Sequence, residues 1–245
     1  MSNSDLVSYT KISPNRTSQR QNTIKKITIH HMAGNLSVET CGNVFAPTSR
    51  KASANYGIGT DGRVGMYVEE KDRAWTSSNR DNDNQAVTIE VANNSGAPNW
   101  TVSDAAYNKL IDLCVDICQR NGIKELIWTG DKNGTLTCHY MFAATACPGP
   151  YLKSKMPEIA AAVNARLNRK PEDKSMYRVQ IGAYSVKSNA DRMLAKVKKA
   201  GFEAFVTTKD GMYKVQVGAY TVKANADAML KRVKAAGFDA ILVRM

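Results

Sequence analysis

The residue types best suited to chemistry in this chain are its three histidines, two of which are adjacent. His30 and His31 end the apolar run Ile27-Thr-Ile-His-His31, and His139 begins a segment that reaches Cys147. Zn²⁺ favours imidazole and thiolate ligands, and catalytic zinc sites use three protein ligands and keep a fourth position for water. The spacing is not that of a zinc finger. Spacing alone therefore leaves open both a metal site and ordinary loop or core roles for these residues.

Two strands are expected to position these groups. We predict strands over Ile24–His31 and Ala86–Ala92, the second buried apart from its Thr and Glu. Successive strand residues face opposite sides, so His30 and His31 cannot easily reach one metal ion. A lone carboxylate in a buried strand is costly, which favours a function for Glu90 over the alternative of an exposed strand face.

The remaining elements predict an α/β domain over residues 1–168, with a mixed β-sheet flanked by helices. Cys114 and Cys118 lie four apart on the apolar stripe of one helix, which is typical of core packing. The predicted elements are a hairpin over Ala54–Glu69 turning at Asp61-Gly62, a helix capped by Ser103 and running to Asn121, a short strand over Leu126–Thr129, and a last helix with its core over Pro157–Asn168.

The last third of the chain contains an internal repeat with a period of 36 residues. Met176-Tyr-Arg-Val-Gln-Ile-Gly-Ala-Tyr184 recurs as Met212-Tyr-Lys-Val-Gln-Val-Gly-Ala-Tyr220, after a polar, proline-containing linker over residues 169–175. Each copy has the pattern of a strand, a helix and a strand. One copy cannot bury its own sheet face, so residues 176–245 should form a ferredoxin-like βαββαβ domain of the α+β class.

The net charge of +12 is concentrated in this last region. Residues 1–167 carry 18 basic and 15 acidic residues, a net +3, whereas residues 168–245 carry 16 and 7, a net +9. A compact basic module attracts nucleic acid, anionic membrane or an anionic cell wall. No apolar run is long enough to span a membrane, and the polar segment 1–22 lacks a signal peptide, so we expect no membrane insertion and synthesis in the cytoplasm.

Four motifs, taken in order, resemble the type 2 N-acetylmuramoyl-L-alanine amidases. This family includes bacteriophage lysozyme-type amidases and the peptidoglycan recognition proteins, and the resemblance covers roughly residues 5–167. It implies one zinc ion per chain, held by His30, His139 and Cys147; Cys at the third position resembles the phage branch. The motifs are Ile27-Thr-Ile-His-His31, Ser53-Ala-Asn-Tyr-Gly57, Val87-Thr-Ile-Glu-Val91, and the segment from His139 to Cys147-Pro-Gly149.

The same resemblance implies roles for five further residues. Glu90 would be the general base, Tyr56 the active-site tyrosine and Thr145 a stabiliser of the oxyanion, although a core tyrosine remains the alternative for Tyr56. Trp75 and Asn79 are candidates for the substrate groove. Many relatives carry His where this chain has Asn55 and Thr76. This departure weakens the prediction of the substrate-binding residues but not the prediction of the zinc ligands.

The repeated region resembles the SPOR domain, a peptidoglycan-binding module that contacts glycan through its sheet face. By this resemblance Gln180, Tyr184, Gln216 and Tyr220 are candidate wall contacts, and structural roles remain equally open. RNA-recognition domains share the topology but stack bases on strand aromatics, which Val179-Gln-Ile and Val215-Gln-Val lack. We therefore expect peptidoglycan, and not nucleic acid, as the partner.

The combined features predict an endolysin-type hydrolase. Its expected reaction is hydrolysis of the amide between N-acetylmuramic acid and L-alanine in bacterial peptidoglycan, after release of the enzyme from the cytoplasm to the wall. The alternative is a non-catalytic peptidoglycan-binding protein of the same fold, which would have no need to retain Cys147 together with Glu90 and Tyr56. The oligomeric state is left open.

Overall fold

The computed structural model describes residues 2–168 and 176–244, and the chain divides into two compact units, residues 1–169 and 170–245. The predicted linker over 169–175 lies outside the described residues. The elements of the first unit are β1 (Val7–Thr10), β2 (Arg16–Thr17), β3 (Lys26–His31), α1 (Val38–Phe45), β4 (Tyr56–Ile58), β5 (Val64–Met66), β6 (Arg73–Ala74), α2 (Arg80–Gln85), β7 (Ala86–Val91), α3 (Asp104–Asn121), β8 (Leu136–Cys138) and α4 (Gly149–Leu167), with 3₁₀ turns at Thr48–Arg50 and His139–Met141.

A six-stranded mixed sheet in the order β1-β5-β4-β7-β3-β8 forms the centre of the first unit. β4 and β5 pair antiparallel as the predicted hairpin, whereas β3 pairs parallel with both β7 and β8. β2 and β6 form a separate two-stranded sheet. This arrangement confirms the predicted α/β class, and it places the ends of β3, β7 and β8 side by side.

The alternation of side chains along β3 separates the core from the candidate site. Ile27 and Ile29 are fully buried and pack with residues of α3 and α4 in the main core. His30 occupies the alternate position, so its side chain lies on the other face of the sheet. There, buried residues of α1, including Cys41 and Phe45, form a smaller cluster.

Helix α3 has the ends that its sequence predicts. The Ser103 side chain accepts a hydrogen bond from the Ala106 amide, and Gly122 ends the helix in the left-handed region at φ +69°. Cys114 and Cys118 are completely buried in the core, as predicted.

Two predicted elements differ from the structure. Leu126–Thr129 is not a strand, because the Asn164 side chain accepts from the Leu126 amide and donates to the Leu126 carbonyl, replacing a neighbouring strand. α4 begins at Gly149, well before Pro157, which lies inside the helix. A proline is tolerated there despite its missing N–H group because the surrounding helix is anchored by a buried apolar face.

The second unit is built from the two sequence repeats. It forms one antiparallel sheet in the order β10-β11-β9-β12, and Val197 and Val233 of its two helices pack against Val179 and Val217. The predicted βαββαβ domain is confirmed. Its elements are β9 (Tyr177–Tyr184), α5 (Lys187–Lys199), β10 (Ala204–Lys209), β11 (Met212–Tyr220), α6 (Lys223–Ala235) and β12 (Ile241–Arg244).

Within the described part of the chain, none of the helices is both long enough and apolar enough to cross a membrane.

Candidate metal centre and active site

Three separate segments bring a histidine, a second histidine and a cysteine together. His30 is near the end of β3, His139 follows the adjacent strand β8, and Cys147 lies in the loop before α4. Their metal-binding atoms all lie within 4.8 Å of one another. Among residues 2–168 and 176–244, this is the one cluster of His, Cys, Asp or Glu side chains whose positions could hold a metal ion.

The geometry of this cluster fits zinc. Cys147 Sγ is 3.6 Å from His30 Nδ1, and ligands at ordinary Zn–S and Zn–N distances on a tetrahedral ion are also about 3.6 Å apart. The rings of His30 and His139 are 4.6 Å apart between centroids. The Nε2 atoms of both histidines are buried without a hydrogen-bond partner, a situation that proteins rarely leave uncompensated.

Burial shifts the pKa of each of the three side chains, and these shifts affect metal binding. It lowers the pKa of His30 well below its ordinary value, with further lowering by His139 and His31, and it also lowers the pKa of His139. Both imidazoles are therefore neutral and keep a lone pair for a metal. Burial raises the pKa of the Cys147 thiol, so its thiolate form needs a nearby cation.

Glu90 lies beside this cluster on the neighbouring strand. Its position on β7 is paired in parallel register with His30, and its Oε1 atom is 4.0 Å from His30 Nδ1. The other oxygen, Oε2, is buried without a hydrogen-bond partner. Burial raises the pKa of Glu90 to about 8, and the charge of Arg50 opposes this shift. The structure thus places a partly unsatisfied carboxylate next to the candidate ligands.

The loop that carries Cys147 is held by its own backbone and by Thr145. Thr145 Oγ1 accepts from the Cys147 amide at 3.2 Å, and the Cys147 carbonyl accepts from the Tyr140 amide at 3.1 Å. Gly149 begins α4 at φ +83°, where an added Cβ would lie 3.3 Å from the His31 ring. Thr145 itself is exposed, so the structure supports a role in orienting Cys147 more directly than contact with a substrate.

A cavity of about 310 Å³ opens beside the cluster. Trp75 lines it, and its indole N–H donates to Thr17 Oγ1 at 2.9 Å. Asn79 lies outside this lining and caps α2 by accepting from the Asn82 amide. The lining residues are His31, Met32, Ala33, Leu36, Cys41, Val44, Phe45, Arg50, Ala52, Ser53, Trp75, Thr76, Ser78, Glu90 and His139.

Neither Arg50 nor Cys41 was singled out from the sequence. Both line the cavity, and Arg50 is the cation that acts on Glu90. Arg50 is the last residue of the 3₁₀ turn that follows α1, a helix that was not predicted. The Ser37 cap of α1, whose side chain accepts from the Thr40 amide, was the available signal for that helix.

The structure corrects the role of Tyr56. Its side chain is completely buried in the main core, on the side of the sheet that faces α3 and α4. The phenol donates to Glu70 Oε1 at 2.7 Å and accepts from the Ser4 amide at 3.0 Å. Tyr56 is paired with Ile89, one residue before Glu90, so strand alternation turns the two side chains to opposite faces.

His31 lies close to the cluster but is not part of it. Its ring packs edge-on against Trp100, with ring centroids 5.2 Å apart. Its backbone amide donates to Cys147 Sγ at 3.4 Å. His31 therefore supports the cysteine through its main chain while its side chain borders the cavity.

In the second unit, the four candidate wall contacts differ in availability. Gln216 is buried and its Oε1 accepts from Arg178 and Thr207, so direct ligand contact by Gln216 is not supported. Its Nε2 donates to Gln180 at 3.4 Å. The half-buried tyrosines lie close over the glycine two residues earlier in each repeat, Tyr184 over Gly182 and Tyr220 over Gly218.

Two family models match the chain. The one described as N-acetylmuramoyl-L-alanine amidase matches residues 20–150, more than half of the chain, and the SPOR domain matches residues 173–244. The chain belongs to the N-acetylmuramoyl-L-alanine amidase family. Membership supports peptidoglycan amidase activity, and the SPOR domain supports binding to peptidoglycan. None of the curated proteins gives a significant match.

Solved structures include relatives of each unit. The catalytic domain of XlyA is 14% identical with a TM-score of 0.50, covering 63% of this chain and 97% of that one, and shows the amidase fold. The amidase LysCS of Clostridium intestinale is 18% identical with a TM-score of 0.47, covering 67% and 94%. The peptidoglycan-binding domain of the B. subtilis lytic enzyme CwlC is 47% identical with a TM-score of 0.29, covering 31% and 98%.

Proposed function

We propose that this family member is a zinc-dependent amidase that hydrolyses the bond between N-acetylmuramic acid and L-alanine in peptidoglycan. The observation that carries the proposal is the cluster of His30, His139 and Cys147, with Glu90 beside it at a cavity. Three protein ligands are the number that catalytic zinc sites use. The buried, unpartnered His139 Nε2 and Glu90 Oε2 atoms are of the kind that a metal ion and a substrate would satisfy.

The chemistry divides between the ion and the chain. Zinc held by His30, His139 and Cys147 would supply Lewis acidity that polarises the scissile carbonyl and lowers the pKa of water. Glu90 would take a proton from the attacking water and return it to the amine nitrogen that leaves. Burial alone favours the protonated form of Glu90, and a cation at the cluster would favour the ionised form that can act as a base.

The alternative is a peptidoglycan-binding protein without catalysis. A receptor could bind glycan with the cavity walls alone and would gain nothing from a buried carboxylate that lacks a partner for Oε2. Keeping such a group costs free energy, so its presence favours the enzyme.

The second unit would hold the enzyme on its substrate. A SPOR domain with most of the net positive charge raises the local concentration of the wall around a small catalytic cavity. This pairing suits an enzyme that digests intact walls, and we propose an endolysin-type role in which the protein acts after its release from the cytoplasm.

Incubation of purified protein with bacterial walls tests the reaction. New peptide amino termini without new reducing sugar ends would identify an amidase, and atomic absorption on the same sample would give the zinc content. Reducing ends in place of amino termini would refute the proposed bond. Binding without any cleavage, at full zinc content, would favour the receptor.

The endolysin role has its own experiment. Cells that produce the protein internally should stay intact until the membrane is permeabilised, and should then lyse. Cells producing the Glu90→Gln variant serve as the control and should not lyse after the same treatment. Lysis without permeabilisation would contradict the proposed role while leaving the amidase reaction standing.

A further inference from the structure

The second unit carries its net charge almost entirely on its two helices. Among residues 176–244, α5 and α6 contain nine basic and two acidic residues, a net +7. The strands and loops of the same range contain four basic and three acidic residues, a net +1. All nine basic side chains of the helices are exposed. The positive charge is therefore concentrated on one kind of element and not spread over the unit.

These cations form one surface that faces away from the sheet. Each helix buries its apolar side against the sheet, through Val197 of α5 and Val233 of α6, so its exposed basic residues lie on the other side of the helix. The helices cover Val179 and Val217, which are paired across β9 and β11, and so both helices lie on the same face of the sheet. Gln180 follows Val179 on β9 and belongs to the opposite face. We call the exposed lysines and arginines of α5 and α6 the basic helix face.

Most charges of the basic helix face are not neutralised by acidic residues of the unit. The two acidic residues of the helices form the ion pairs Lys187–Asp191 and Lys223–Asp227. Within residues 176–244, the other seven basic residues of the helices form no ion pair. Like charges on one surface repel each other, so an anionic ligand would bind there and relieve the repulsion.

The spread and type of the cations indicate a polymer with repeated negative charges. Each helix has 13 residues and is therefore about 20 Å long, more than one small anion can cover. Seven of the nine cations are lysines. An ammonium group binds phosphate as a point charge without a fixed geometry, whereas arginine suits paired hydrogen bonds to a planar carboxylate. A flexible chain of phosphodiesters matches both features.

Anionic membranes and nucleic acids fit this surface less well. A helix that lies in a membrane interface inserts its apolar side, and here that side is already buried against the sheet. Neither helix contains an aromatic residue on which a base could stack. Phosphodiester polymers joined to the bacterial wall match the charge and occur where a SPOR domain binds.

We propose that the basic helix face binds phosphodiester polymers that are covalently attached to the bacterial wall. The second unit then has two binding surfaces of different chemistry, the basic helix face for wall phosphates and the opposite face of the sheet for glycan. This inference goes beyond the proposed amidase reaction and does not depend on it.

Sedimentation of the full chain with walls tests this inference, in a Glu90→Gln background so that the walls stay intact. The walls are used before and after hydrofluoric acid, which removes phosphodiester polymers and leaves the peptidoglycan. A helix-face variant should bind untreated walls about tenfold more weakly than its parent, because each exposed ion pair contributes modestly, and should bind treated walls as its parent does. A control variant with the same change of charge in the first unit should bind both kinds of wall as the parent does. The helix-face variant is Lys196→Gln/Lys198→Gln/Lys234→Gln, and the control variant is Lys25→Gln/Lys124→Gln/Lys132→Gln.

Three results would overturn the proposal. Equal binding of untreated walls by the two variants would show that the helix lysines have no ligand there. The same loss on treated walls would point to carboxylates of the stem peptide in place of phosphates. Tighter binding of double-stranded DNA or of phosphatidylglycerol vesicles than of the purified wall polymer, at equal phosphate concentration and about 0.15 M salt, would assign the surface to another polyanion. None of these results bears on the amidase reaction, because cleavage is not measured.

Discussion

The candidate site residues of the two units differ in how their buried polar atoms are satisfied. In the first, His30, His139 and Glu90 each bury a nitrogen or oxygen atom that has no partner. In the second, the buried amide of Gln216 has partners for both its oxygen and its nitrogen, although its donor Arg178 buries an Nε atom without a partner. A cluster of unpartnered buried atoms marks a place where a ligand can complete the structure, whereas a satisfied amide is complete without one.

The two units should also differ in how strongly their function depends on any single residue. A metal centre built from three side chains fails when one is removed. A repeated domain distributes its structure over two equivalent halves, such as the ion pairs Lys187–Asp191 and Lys223–Asp227 on its two helices. We expect single substitutions to abolish function in the first unit and to weaken the second by degrees.

The largest expected effect is from Cys147→Ser, which should remove both zinc and activity. Serine is a poor zinc ligand, and the 3.6 Å approach of Sγ to His30 Nδ1 shows that the sulfur is part of the cluster. His31→Ala is the matched control and should keep its zinc, because the side chain of His31 packs on Trp100. Metal analysis of both variants checks this, and equal zinc loss would contradict the choice of His30 over His31.

Glu90→Gln should keep the fold and the zinc but lose roughly 10²–10⁴-fold in turnover, the usual contribution of a general base. The substitution preserves the shape of a buried side chain and removes its ability to accept a proton. Release of amino termini from walls, measured at confirmed zinc content, gives the result. Near-normal turnover would assign Glu90 a structural role.

Removal of residues 176–245 should slow the cutting of intact walls by about tenfold or more, without slowing hydrolysis of a soluble muramoyl-peptide. The separate tail should sediment with walls without cutting them, and part of this binding should weaken with salt because residues 168–245 carry +9 of the net +12. A glycan-specific part should survive at about 0.5 M salt, where exposed charges are strongly screened. Complete loss of binding at that salt concentration would show that the tail binds walls only through its positive charge.

Within the second unit, the two repeats allow a matched pair of substitutions. Gly218 has φ +64° and Gly182 does not have a positive φ, although in both repeats an added Cβ would collide with the following tyrosine ring. Gly218→Ala should therefore destabilise the unit by roughly 1–3 kcal/mol, more than Gly182→Ala. Urea denaturation of the two variants measures the difference. Equal losses would show that the tyrosine contact, and not the backbone, sets the cost.

The candidate metal ligands could be predicted because few residues could serve. The chain has three histidines, and the alternation of side chains along a strand makes it difficult for His30 and His31 to reach one ion together. The choice of His30 over His31 came from the family resemblance. Tyr56 was misplaced by the same alternation, because a motif match does not tell which face of a short strand a residue occupies.

Other features have no local signal in the sequence. The prediction of a strand over Leu126–Thr129 was wrong because the side chain of Asn164, distant in sequence, hydrogen-bonds both the amide and the carbonyl of Leu126. The cavity beside the cluster is lined by residues from separate segments, among them Arg50, Trp75 and His139, and only the folded chain brings them together. Long-range contacts of this kind determine which residues line the cavity. Residue type and periodicity determine most of the helices and strands.

The smallest expected effect is from Tyr56→Phe, which tests the corrected position of this residue. The substitution removes the hydrogen bond to Glu70 and the acceptor for the Ser4 amide. Glu70 keeps partners in Arg120 and Asn121, so the cost should be limited to about 1–2 kcal/mol in the free energy of unfolding. Turnover at full zinc content should not change, because the phenol lies on the face of the sheet opposite Glu90. Urea denaturation and turnover on the same preparation separate the two effects. A tenfold or larger loss of turnover with the stability of the wild type would return Tyr56 to the active site.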